Sequence, residues 1–197
     1  MALQNPLAGF NAVAGLGNDY QSSYTQRIFS GGNQVAVVTA MTAGVPTTYT
    51  GGLVLANPIT STINLILNKV ALAFVVAQTN AAVLGLGLGV STSALAGTLT
   101  AITPIAGNVN AAAPTPQGLL YSSASITLPV APVLARIIGA VDTGATTVGV
   151  ASPALTLDLQ GGVILPPGAF ACILSSATGT ASSLFANFVW SEVAGPV

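Results

Sequence analysis

The residues able to do chemistry in this chain are few, and their types decide more than their positions. There is no histidine, which removes the Ser-His-Asp and Cys-His relays and the usual imidazole metal ligands together. Four carboxylates remain, Asp19, Asp142, Asp158 and Glu192. A two-carboxylate hydrolase needs a pair converging on one bond, and a hard cation needs several oxygens in one shell. These four are far apart in sequence and show no such grouping. Asp158, between Leu157 and Leu159, has the position of a residue on the solvent or interface side of a strand. Cys172 is the single cysteine, so no intrachain disulfide forms. With no basic neighbour to lower its pKa, it reads as a small buried hydrophobe rather than a nucleophile.

Two further patterns look chemical and are not. "GLGLG" at 85–89 lacks the strand-then-helix context and the Lys-Ser/Thr of a phosphate cradle. Its glycines alternate with Leu86 and Leu88, which suits a strand packed closely on another backbone, or a flat interface. Arg27, Lys69 and Arg136 are separated by dozens of positions and cannot make a polybasic nucleic-acid surface. The expected set of catalytic, cofactor-binding and metal-ligating residues is therefore none, and the chain is read as not an enzyme.

The scarcity of charge is itself informative. Seven residues of 197 are charged, or 4%, where soluble domains carry roughly 25%. A folded monomer of this size exposes on the order of 8,500 Å², so its surface is nearly uncharged, and a net charge of -1 offers little self-repulsion. Much of that surface is expected to be buried against other subunits. Lys69 and Arg136 interrupt apolar strands; they either face outward or pair with Asp158, Glu192 or Asp142 across a subunit boundary. A mean hydropathy of +0.80 raises a membrane barrel as a competitor. The apolar runs, however, are broken by Asn, Gln, Gly, Ser and Thr before about 20 residues accumulate, and "MALQNPLAGF" has no basic n-region. No membrane partner is expected.

Residues 1–34 mix polar and isolated apolar residues without a period of 2 or 3.6, and read as an extended N-terminal arm. From 35 to 197, eight to ten short β-rich runs alternate with Gly, Pro, Asn, Ser and Thr clusters, which predicts an all-β, antiparallel sandwich or barrel. In the run at 63–77, Ile63, Leu65 and Leu67 share one strand face, and Leu72, Phe74 and Val76 share one in its continuation. Asn68-Lys69 then marks a bend or bulge where the inward set switches; a buried helix is the alternative by length. Residues 104–118, rich in Pro, Ala and Asn, read as a long loop. Phe185, Phe188 and Trp190 read as core, while Tyr20, Tyr24 and Phe29 fall in the arm. Gly161-Gly162 reads as a tight turn, and Pro166-Pro167-Gly168 as a strand terminator.

"LTLDLQGGVILPPGAFACIL" followed by "SLFANFVWSEV" resembles the closing strands of a viral or tumour-necrosis-factor-like jelly roll. "GGLVLANPITSTINLILNKVALAF" resembles the early strands of small phage structural proteins, in which a strand ends in Asn-Pro. The resemblance covers about half of the chain and implies a jelly-roll-like sandwich in a tailed-bacteriophage virion. The implied protein is a head decoration, or cement, subunit that sits as a homotrimer on the major capsid protein at the capsid exterior, without cofactor, nucleic acid or membrane. The alternative is a receptor- or glycan-binding head-fibre or tail-tip module using loops such as 104–118.

Overall fold

A computed structural model of the chain describes residues 27–33, 37–38, 43–45, 47–49, 52–76, 80–107, 114–123, 125–141, 154–178 and 183–195. These residues are all-β, with no helix among them. In chain order the strands are β1 (Ile28–Gly32), β2 (Val37–Val38), β3 (Thr48–Tyr49), β4 (Gly52–Ala56) and β5 (Ile63–Val76). Then come β6 (Ala82–Val90), β7 (Ala96–Thr98), β8 (Ala101–Ile102), β9 (Ile105–Ala106) and β10 (Leu119–Ser123). The last are β11 (Ser125–Thr127), β12 (Val133–Val141), β13 (Leu155–Leu165), β14 (Ala169–Ser175) and β15 (Ser183–Ala194).

Two antiparallel sheets pack face to face as a β-sandwich. The first has the order β13-β5-β15-β1-β9, with β2 also pairing β15, and the second β12-β6-β14-β4-β10-β8. Between them lies the main core, which contains Leu53, Leu55, Leu65, Leu67, Leu84, Leu86, Phe188 and Trp190. A small third sheet, β3-β11-β7, covers the outer face of the second. Ile126 and Leu128 there meet Val54, Ala56, Phe170, Cys172 and Leu174 in a second core.

β14 is consequently buried at all seven positions. Ala169, Ala171 and Ile173 face the main core, and Phe170, Cys172 and Leu174 face the third sheet. A strand covered on both faces has no reason to alternate polar and apolar residues, so "AFACIL" is written without charge.

The long run forms a strand rather than a helix, and the structure has the bulge at Asn68. β15 steps from Val189 opposite Lys69 to Trp190 opposite Leu67, so Asn68 is the extra residue. Leu65 and Leu67 before it, and Val70, Leu72 and Phe74 after it, are all buried. The inserted residue moves the inward set from odd to even positions, and the Asn68 amide donates to the Ser191 hydroxyl at 2.8 Å.

Gly161-Gly162 is not a turn between two strands. It lies in a wide bulge within β13, because Asp158 pairs Lys69 and Val163 pairs Leu67, leaving residues 159–162 opposite Asn68 alone. Two successive left-handed residues, Gln160 (φ 47°) and Gly161 (φ 77°), kink the chain and return it to the same direction, so the ladder with β5 resumes. The Pro166-Pro167-Gly168 segment does reverse the chain. Ala169 N–H donates to the Pro166 carbonyl at 2.9 Å, with Gly168 at φ 82° in the third position of the turn, where a left-handed residue is needed.

Of the expected arm, residues 1–26 lie outside the described residues. Ile28–Gly32 is a sheet strand, paired with β15 from Ile28 opposite Ser191 to Gly32 opposite Asn187. Phe29 is core, with its ring centroid 6.1 Å from that of Trp190. Nor is 104–118 loop throughout, because Ile105–Ala106 pairs with Phe29 and Ser30; residues 108–113 lie outside the described residues. Phe188 and Trp190 are fully buried, but Phe185 is 43% exposed, since even-numbered positions of β15 point inward there.

Candidate functional site

Among the described residues, those with chemical potential do not converge on one site. Asp158 is exposed on β13, opposite Lys69 of β5, which is also exposed. Its Oδ1 accepts the backbone N–H of Gln160 at 3.2 Å, an Asx-type contact that supports the bulge. Arg136 is exposed on β12, where its Nη1 donates to the Ala135 carbonyl at 2.9 Å. Cys172 is fully buried in the second core, and burial pushes its thiol well above the ordinary 9.0. Asp19 and Asp142 lie outside the described residues. Among the described residues, no group of three or more His, Cys, Asp or Glu could hold a metal ion.

Glu192 has a structural task that its sequence position did not announce. Its Oε1 accepts the Gly118 N–H at 2.8 Å and the Trp190 indole N–H at 3.2 Å, and Oε2 accepts the Gln117 N–H at 3.1 Å. The Gln117 side chain carries the network on, accepting from the Ser61 hydroxyl at 3.1 Å and from Thr62 N–H at 3.4 Å. One carboxylate thus seats the segment before β10 over the buried Trp190. The readable signal was period two, which puts Glu192 on the same strand face as the indole.

Asn57 does comparable work at the same end of the sandwich. Its Nδ2 donates to the carbonyls of Ile63 at 2.8 Å and Leu165 at 2.9 Å, joining the second sheet to β5 and β13 of the first. Its backbone exchanges two hydrogen bonds with the Pro-Pro-Gly turn: its N–H donates to the Ala169 carbonyl, and its carbonyl accepts from Gly168. The Asn-Pro strand ending is therefore an inter-sheet clamp. Its Oδ1 is buried without a partner among the described residues.

The "GLGLG" glycines lie on the outer face of β6, with Leu84 and Leu86 turned to the main core. A Cβ on Gly89 would sit 2.3 Å from the Phe170 ring, one on Gly87 2.7 Å from Leu174, and one on Gly85 2.3 Å from Leu134. The close approach is by side chains of β14 and β12 lying across the glycines. The stretch is a packing feature with no anion cradle.

Hollows mark the surface formed by the described residues. One, of about 360 Å³, lies by Ala71, Ala73, Phe185 and Asn187 on the outer face of the first sheet. Another, of about 240 Å³, is lined by Ile59, Thr60, Leu95, Leu99, Leu119 and Tyr121 among others. Burial raises the Tyr121 phenol above its ordinary 10.0. Among the described residues, no charged side chain lines either hollow. More conspicuous are large apolar side chains in the open: Val133 at 71%, Val90 and Ile137 at 63%, and Ile164 at 57% exposure. No described helix is long and apolar enough to cross a membrane.

No family model matches the chain, and no curated protein or solved structure matches it. Among the described residues, the exposed apolar surface is the feature that the geometry offers for function.

Proposed function

We propose that the chain is a non-enzymatic structural subunit of a particle, a jelly-roll-type decoration or cement protein of a tailed-phage head. In this reading it acts as a homotrimer seated on the major capsid protein at the capsid exterior. The observation that carries the reading is a surface with large apolar side chains in the open and very few charges. Of the seven charged residues, five are described, and the carboxylate of Glu192 is engaged within the chain.

The strand path supports a jelly-roll type. β4 to β6 alternate between the two sheets, and so do β12 to β15, so the long strands wind around the core instead of forming hairpins within one sheet. Apolar burial contributes roughly 25 cal/mol per Å² before the costs of association, so a neutral interface of ordinary size is held by area and shape.

The test is a native mass measurement of the purified full-length chain, followed by co-sedimentation with capsids that lack it. The mass of a homotrimer and saturable binding to capsids are expected. A monomeric mass, or binding to host-cell glycans with none to capsids, would overturn the reading.

A further inference from the structure

The two lateral sides of the sandwich are closed differently. On one side the sheets end in two-residue strands, β9 and β8; on the other they end in β13 and β12, of eleven and nine residues. No strand pairs with the outer edge of β12 or β13 among the described residues. Long open edges of this kind are templates for another chain.

β12 is also under-buried for its composition. "VLARIIGAV" is as nearly continuous in apolar residues as β14, yet only Val141 is buried, whereas β14 is buried throughout. Val133, Leu134 and Ile137 are 71%, 52% and 63% exposed. Within one molecule, the same kind of strand has both covering layers in one place and lacks one in the other.

The charges on this side say what covers it. β12 is antiparallel to β6, which is antiparallel to β14, so β12 runs with β14. The turn at Pro166–Ala169 reverses the chain between β13 and β14, so β12 and β13 run in opposite directions. They meet where a Cβ on Gly139 would lie 2.9 Å from Leu155. From there Arg136 is two register steps along β12, by Gly139 opposite Leu84, Ile137 opposite Gly85 and Arg136 opposite Leu86, or about 7 Å. Asp158 is three residues along β13 from Leu155, about 10 Å in the same direction.

The two opposite charges therefore stand at nearly the same height, on the edges of different sheets. Arg136 is exposed and spends one Nη1 donor on Ala135; the guanidinium fork has further donors. Asp158 faces Lys69 across the ladder and accepts one backbone N–H, which leaves acceptor capacity on the carboxylate. A rotation axis parallel to the strands preserves height while bringing β12 of one copy against β13 of the next.

We propose that the β12–β13 side is the surface through which copies of this chain associate about such an axis, with Arg136 of one copy meeting Asp158 of the next. Val133, Leu134 and Ile137 supply the apolar area, and the charge pair sets the register. This rests on the reading of the chain as a self-associating subunit.

Sedimentation velocity on the full-length chain tests it by charge reversal. Arg136→Asp and Asp158→Arg should each weaken association by about tenfold or more, because like charges then face each other, and the double reversal should restore it. Ile137→Asp, at an exposed position, should weaken association with an unchanged thermal melt. If the wild type associates and the single reversals leave its mass unchanged, or the double reversal fails to rescue, this surface is wrong while self-assembly stands. A wild type that is monomeric at all concentrations overturns both.

Discussion

Asn57 and Glu192 hold one end of the sandwich by opposite chemistry, the first by donating and the second by accepting. Asn57→Asp isolates the donor role, since it keeps the shape but removes the two N–H groups that reach Ile63 and Leu165. An ionised carboxylate would also face two carbonyl oxygens at a site only 2% exposed. Loss of both bonds, with the buried acceptors left unpaired, predicts a destabilisation of about 3 kcal/mol or more, larger than that of Asn57→Ala, read from urea unfolding midpoints.

Cys172 gives a residue-scale prediction with a defined sign. Burial raises the folded thiol far above its ordinary 9.0, so above about pH 9 the unfolded chain loses this proton while the native state keeps it. The unfolded state then binds fewer protons, and stability falls as pH rises, by up to about 1.4 kcal/mol per pH unit for this one group. Below pH 9 the contribution is constant. Unfolding free energies measured from pH 8 to 10.5 should fall more steeply in wild type than in Cys172→Ala; parallel slopes would refute the assignment.

At the scale of elements, β6 and β14 show why a glycine-rich strand and an apolar strand belong together. Side chains of β14 lie over the glycines of β6, so the bare backbone is half of a packing arrangement. Gly89→Ala drives a methyl group into the buried Phe170 ring, which has nowhere to move; Gly85→Ala meets the end of the half-exposed Leu134, which can turn away. The first should cost about 1–3 kcal/mol and the second clearly less, in thermal or urea unfolding. Equal costs would mean that Phe170 does not lie across Gly89.

Elements also show which local signals carry information. The bulge at Asn68 was legible because the inward apolar set visibly changes parity there, and a period of two admits no other repair. The Gly161-Gly162 pair was not legible as a bulge. A left-handed kink serves equally to end a strand or to offset it, and the choice depends on β5 continuing alongside. Phe29 was missed for a similar reason: five residues of strand among polar neighbours have no period long enough to read, and their partners lie on β15, more than 150 positions away.

For the whole molecule, an interface built from neutral apolar area with one ion pair predicts weak dependence on salt. Screening at 1 M reduces the Debye length to about 3 Å and removes at most the charge-pair contribution, while apolar burial is undiminished. The oligomer should persist from 0.1 to 1 M NaCl by sedimentation or light scattering, and dissociation at high salt would show that charges rather than area hold it.

Composition alone closes histidine-dependent chemistry to this chain, and local alternation alone indicates its all-β class. The lack of histidine is a property of composition, and an alternation of two is written locally, so neither needs a tertiary structure to be read. Which layers cover which strands is fixed by tertiary packing. The outer face of the uncharged "AFACIL" is covered by the chain's own third sheet. β12, nearly as apolar but carrying Arg136, is left open. Similarly apolar strands receive different neighbours because pairing joins segments far apart in the chain, and that assignment depends on the global packing of both cores.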